Sequence, residues 1–194
     1  MLIDNSEVKT FPPDVVPRDL TSSEHFVQFY HQDQSLINSL TTFIASGLYY
    51  GESAIVIATP EHRAALDREL QAVGAHPVAA IAQRRLFRLD AAETLDRFMV
   101  NGSPHHAKFF DTVGPLVAEA RATGTAVRAF GEMVAILWAK GNRAAALELE
   151  DLWNELGRSC AFRLFCAYPA SYFTGANAGL AWLNVCKCHS RVIV

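Results

Sequence analysis

Cys186, Cys188 and His189 form the compact run CKCH near the end of the chain, and Cys166 lies twenty residues earlier in a strand-like segment. Cys and His are side chains with which proteins hold zinc, iron or haem. With His25, in the run HFVQFYHQD, the residues Cys166, Cys186 and His189 are therefore candidate ligands of a metal or haem. The spacing sets limits. Cys-x-Cys-His is not Cys-x-x-Cys, no second pair matches it, and covalent haem attachment needs Cys-x-x-Cys-His. Two other readings stay open. The thiols can act as redox sensors, or Cys166 is a small buried residue and the tail packs on a sheet.

A second set follows from the rule that ligands of parallel α/β sheets sit beyond the carboxyl ends of the strands. Thr59, Asp90, Glu132 and Tyr168 fall at such ends, and Tyr30 adds a polar tip to an apolar strand-like patch. Trp138, Glu150, Trp153 and Asn154 are a helix-borne group, the last three sharing one helix face. Aromatic walls with a few polar groups suit a small, weakly polar organic ligand. Plainer roles compete: the tryptophans recur at helical spacing with leucines, as core residues do, and Asp90 stands where a helix cap is expected. Glu132, if buried, needs a partner such as Arg128 or a ligand, because an unpaired buried carboxylate is costly.

The segment GESAIVIATPEHRAAL places an apolar strand before a helix, where a nucleotide-binding protein carries its phosphate loop. Such a loop needs glycines, whose N–H groups wrap phosphate, and a Lys with Ser or Thr. Here Pro60 has no N–H to give, and Glu61 puts negative charge into the field of the helix end. ATP is therefore not expected as a cofactor. No G-x-S-x-G elbow or other catalytic constellation stands out, so the chain reads as non-catalytic.

These residues need a scaffold, and the hydrophobic pattern outlines one. Apolar positions at helical spacing run from Gln34 to Leu48, SAIVIAT reads as a strand covered on both faces, and PEHRAALDRELQAVG as a helix stopped by Gly74. RRLFRLD, TAVRAFGEM and CAFRLFCAYP read as further strands. Between them lie AAETLDRFMVNG, a longer helix broken or bent near Gly114 and Pro115, and two helical pieces around Gly141 and Asn142. Strands alternating with helices imply an α/β domain of three layers, a mostly parallel sheet flanked by helices. Residues 1–22, with Pro12, Pro13 and Pro17, read as a flexible arm, and residues 23–194 as one domain whose tail after Tyr172 is peripheral.

At 194 residues and 51% hydrophobic, the chain can bury one sizeable core. A net charge of −3 without a Lys/Arg cluster argues against direct nucleic-acid binding. No apolar run is long enough to span a membrane and the N-terminus lacks a secretory signal, so a cytoplasmic location is expected.

The ordered set HFVQFYHQDQSLINSLTTFIASGLYYGESAIVIATPEHRAAL, LDAAETLDRFMVNGSP, VRAFGEMVAILWAKGNRAAALELEDLWNEL, LFCAYP and VCKCHSRVI resembles the MEDS domain. That is the sensory domain of methanogen and methylotroph regulators. The resemblance spans about residues 24–192. It implies a RecA- or KaiC-like fold with a degenerate phosphate loop, and a sensory role in binding small organic compounds such as hydrocarbon derivatives. Members are often joined to a DNA-binding domain or a histidine kinase, motifs of which this sequence lacks. The resemblance thus implies relay by contact with a signalling protein, a kinase or regulator, or by a change in homo-oligomeric state. The metal- or haem-based redox or gas sensor built on His25, Cys166, Cys186 and His189 is the alternative.

Overall fold

In a computed structural model, residues 23–193 are described. The proline-rich arm expected over residues 1–22 lies outside them. The described chain runs β1 (Glu24–Tyr30), α1 (Asp33–Tyr49), β2 (Ser53–Ala58), α2 (Pro60–Ala72), α3 (Pro77–Ala82), β3 (Leu86–Asp90) and α4 (Ala91–Asp96). It continues through β4 (Met99–Val100), β5 (Ser103–Pro104), α5 (His106–Thr123), β6 (Val127–Gly131), α6 (Met133–Ala139), α7 (Arg143–Ser159) and β7 (Arg163–Pro169). A short 3-10 turn at Ala170–Tyr172, α8 (Ala178–Lys187) and β8 (Arg191–Ile193) close it. Six strands form one parallel sheet in the order β3-β2-β6-β7-β1-β8.

The two-residue period of the strands divides the core. Ile55 and Ile57, Leu164, Cys166 and Tyr168 face the layer of α4 to α8, whereas Ala54, Val56, Phe165 and Ala167 face α1 to α3. The three-layer α/β class is therefore present, with the continuous apolar run of β2 buried on both faces. Helix α2 begins as its sequence dictates: Pro60 fills the first turn, and the Thr59 hydroxyl accepts the N–H of His62.

The structure departs from the sequence reading in three places. The tail after Tyr172 is not peripheral: α8 covers the sheet, and β8 adds a sixth strand beside β1, with Val27 opposite Val192. The helical reading through Asn101 ends instead at Asp96. Asn101 and Gly102, both at positive φ, form the two-residue turn of a hairpin between β4 and β5. Helix α5 runs unbroken through Pro115. Pro115 and Asp111, four residues before it, are both exposed, so the carbonyl that loses its partner faces solvent rather than the core.

One end of the sheet is fixed by buried charge. Glu52 pairs with Arg128 and, at 3.0 Å, with Arg163, while Arg128 also donates to the Phe43 carbonyl at 2.8 Å and the Ser46 hydroxyl at 2.9 Å. Gly47 lets this arginine lie against α1, since a Cβ there would stand 2.7 Å from the Arg128 side chain. Arg128 is thus committed to Glu52 and not to Glu132.

Candidate functional site

The strand-end residues separate into two places. Glu132, just after β6, accepts the backbone N–H of Thr59 at 2.8 Å and the Nδ1–H of His62 at 2.8 Å. His62 in turn has Nε2 3.9 Å from Asp33. The hydrogen bond that His62 donates to Glu132 raises the His62 pKa against the opposing effect of burial. Burial, then the charge of Glu132, pushes the nearby Tyr30 hydroxyl up as well. The start of α2, where a phosphate would be held, thus already carries a carboxylate of the chain itself; Glu61 is exposed. Asp90 caps α4, accepting from Ala92 and Glu93 at 2.9 and 3.0 Å, and pairs with Arg63 at 2.9 Å.

The second place lies inside, between the sheet and the layer of α7 and α8. His25 from β1, Glu150 from α7, Cys166 from β7 and His189 from the α8–β8 connection each direct one ligand-type atom to a common point. These four atoms all lie within 4.8 Å of one another. Sheet register brings two of them together: β1 and β7 are parallel neighbours with Val27 opposite Cys166, so His25 and Cys166 lie close on the same face. Glu150 lies one helical turn before Asn154, and β8 carries His189 in beside β1.

The distances are short throughout. His25 Nε2 lies 3.3 Å from Cys166 Sγ and 3.3 Å from Glu150 Oε2; Cys166 Sγ lies 3.5 Å from the same oxygen. His189 Nε2 lies 3.5 Å from Glu150 Oε1, which also accepts the Tyr168 hydroxyl at 2.7 Å. Both imidazoles are oriented from behind. His189 Nδ1 donates to the Val185 carbonyl at 2.7 Å, and His25 Nδ1 donates to Asn154 Oδ1 at 2.9 Å. The Asn154 amide is fixed in turn by its own donation to the Cys188 carbonyl at 2.9 Å. In neutral rings held this way the Nε2 lone pairs point inward, and the buried Nε2 of His189 has no hydrogen-bond partner among the described residues.

Glu150 is fully buried, and among the described residues no Lys or Arg forms an ion pair with it. Burial opposes its charge, but His189, His25 and the Tyr168 hydroxyl together outweigh that and hold its pKa below the usual carboxylate range. Burial lowers the His189 pKa, opposed by Glu150, and His25 at a ring separation of 4.0 Å lowers it further. Burial, then the charge of Glu150, keeps the Cys166 thiol far above its ordinary pKa. Burial pushes Cys188 up to about 12 and raises Cys186. A reactive sensor cysteine needs a stabilised thiolate, and burial works against the thiolate at all three.

The residues expected from sequence are thus redistributed. Glu150, Asn154 and Tyr168, expected around an organic ligand, surround the same point as His25, Cys166 and His189. Cys186 is not among the four converging groups and packs half-buried against the core. Trp138 is a core residue, ring against Tyr168 and Phe173. Trp153 packs edge-on to Phe109 and also lines a cleft of about 630 Å³ together with Ser23, His25, Asn154, Leu164 and Ser190. This cleft opens at the amino end of β1, not at the carboxyl ends of the strands. The supporting contacts of Val185 and Cys188 are made by backbone carbonyls, which carry no side-chain signal, so sequence reasoning had no means of finding them.

Among the described residues no helix is long and apolar enough to cross a membrane. A comparison with curated proteins finds no significant match. The model of the MEDS family, described as MEthanogen/methylotroph, DcmR Sensory domain, matches residues 24–190, from the start of β1 to the residue after His189. Nearly the whole described chain is covered, and the protein belongs to the MEDS family of sensory domains.

Proposed function

We propose that the protein is a non-catalytic sensor whose input is a small, weakly polar organic molecule held in the cleft beside β1. The observation that supports this reading is a hydrogen-bonded line from the cleft wall to the tail. His25 and Asn154 line the cleft, and Asn154 links His25 to the Cys188 carbonyl at the end of α8. Trp153 and Leu164 supply apolar wall, and Ser190 supplies a hydroxyl at the mouth. A molecule that shifts Asn154 therefore acts on the seat of α8 and β8. A ligand biases such an element only as far as it prefers one of its positions. Helix α8 exposes Leu180, Trp182 and Leu183, and relay runs through this face to a signalling protein or to a second copy of the chain.

The test is native mass spectrometry of freshly purified protein, followed by titration with short-chain alcohols and halogenated hydrocarbons while amide exchange is followed over residues 178–193. Saturable binding that changes tail exchange or oligomeric state is the expected result. Saturable binding without either change removes the relay, and no retained or saturable molecule removes the organic input.

A further inference from the structure

The buried point itself lacks something that the organic-ligand reading does not supply. Three kinds of electron-pair donor converge there: two imidazole Nε2 atoms, a carboxylate and a sulfur. His25 Nε2 stands 3.3 Å and His189 Nε2 3.5 Å from the Glu150 carboxylate, and with each ring's other nitrogen already engaged by an oxygen these contacts have no donor while the rings are neutral. The His189 side chain is 0% exposed, and its Nε2 has no hydrogen-bond partner among the described residues. Among the described residues no lysine or arginine pairs with Glu150. A cation at the centre removes all three deficits at once.

The spacing says which kind of cation. Zinc-class ions hold nitrogen and oxygen at about 2.0–2.2 Å and sulfur at about 2.3 Å, so donor atoms on a tetrahedron around one ion lie roughly 3.3–3.7 Å apart. Three donors match this directly: His25 Nε2, Cys166 Sγ and Glu150 Oε2 lie 3.3, 3.3 and 3.5 Å apart, while His189 Nε2 stands 3.5 Å from the other carboxylate oxygen, Oε1. The convergence of four donors within 4.8 Å suits a single ion and leaves no room between them for a macrocycle such as haem. The donor set excludes hard cations, since calcium and magnesium want oxygen only. Charge closes as well: a divalent ion, one thiolate, one carboxylate and two neutral imidazoles sum to zero, as a fully buried centre requires. The outer contacts are those of a ligating histidine, each ring giving its other N–H to an oxygen.

We propose that His25 Nε2, His189 Nε2, Cys166 Sγ and a Glu150 carboxylate oxygen bind one divalent transition-metal ion of the zinc class in a closed, tetrahedral site. On binding, the Cys166 S–H bond breaks and its proton leaves to solvent, while four metal–ligand bonds form and no electron is transferred. Tyr168 holds the remaining face of Glu150, and Asn154 and the Val185 carbonyl are positioning groups for the two rings. His189 belongs to the tail and the other three ligands to β1, α7 and β7, so the ion fastens α8 and β8 to the sheet. This goes beyond the organic-ligand reading and stands without it, since its test needs no organic molecule.

The test uses the full chain, stripped with a chelator and titrated with Co²⁺ and then Zn²⁺. One Co²⁺ per chain is expected, with the visible d–d bands of tetrahedral cobalt, a near-ultraviolet thiolate-to-cobalt charge-transfer band, and displacement of both by Zn²⁺. Cys166→Ser is expected to lose the charge-transfer band, and Cys186→Ser to keep it. Asn154→Ala is expected to keep the band with affinity weaker by about 10–100-fold. Should Cys166→Ser not fold, the spectrum of the unsubstituted chain with Cys186→Ser beside it still decides. No stoichiometric cobalt binding, an octahedral spectrum, or a charge-transfer band that survives Cys166→Ser or is lost in folded Cys186→Ser overturns the proposal.

Discussion

Glu132 accepts the backbone N–H of Thr59 at 2.8 Å, so a carboxylate from the end of β6 closes the start of α2. The same carboxylate holds His62, three residues into the same loop-to-helix turn, at 2.8 Å. A segment shaped like a nucleotide-binding turn is thereby satisfied from within the chain, and the buried chemistry of the domain lies elsewhere, around Glu150.

The pair has a pH signature. His62 has a raised pKa in the folded state because it donates to Glu132, with Asp33 and Glu61 adding favourable charge and burial opposing. Its contribution to stability is therefore complete below the unfolded-state value of about 6.5 and is lost as pH rises through the higher folded value. Urea unfolding at a series of pH values from about 5.5 to 9 should show this fall, and His62→Gln should flatten it. An unchanged slope in that variant would assign the fall to another group.

The network of Glu52 with Arg128 and Arg163 should be expensive to break. Glu52→Ala leaves Arg128, which is 0% exposed, without its carboxylate. Removal of one partner of a buried pair costs about 3–5 kcal/mol. Chemical denaturation is the measurement, and a loss below about 1 kcal/mol would show that the arginines find other compensation.

Gly47 tests the same network from the other side. In Gly47→Ala the added Cβ falls 2.7 Å from the Arg128 Cδ and Nε, atoms in the middle of a fixed side chain. A loss of about 1–3 kcal/mol is expected despite the better helix propensity of alanine. A neutral or stabilising result would mean that Arg128 can move aside.

Asn154→Ala should loosen the tail. It leaves the Cys188 carbonyl and His25 Nδ1 without their partner, a penalty of about 1–3 kcal/mol. Amide exchange over residues 184–193 should quicken by about tenfold or more, while β2 and β6 keep their protection. Equal acceleration throughout the sheet would instead indicate global destabilisation.

The sequence by itself determined what depends on near neighbours. Pro60 stands in the first turn of α2, Asp90 caps α4, Gly141 and Asn142 separate α6 from α7, and the apolar run of Ser53–Ala58 is a buried strand, because each signal acts over a few residues. The parallel three-layer class follows from the alternation of such segments. Even a local signal can lose to a longer pattern: Asn101 and Gly102 carry a two-residue hairpin turn, but in the sequence they look like the stop of a helix. The meeting of His25, Glu150, Cys166 and His189 is of another kind. It depends on the register of β1 beside β7, the rotation of α7 and the return of the tail as β8, and no window of sequence contains those relations. Sequence types named Cys186 alongside Cys166 and His189, whereas tertiary structure brings in Glu150 and leaves Cys186 on the half-buried flank of α8. Only packing decided this, because a side chain's partners across a sheet are set by the strand next to it and the helix above it, not by its place in the chain.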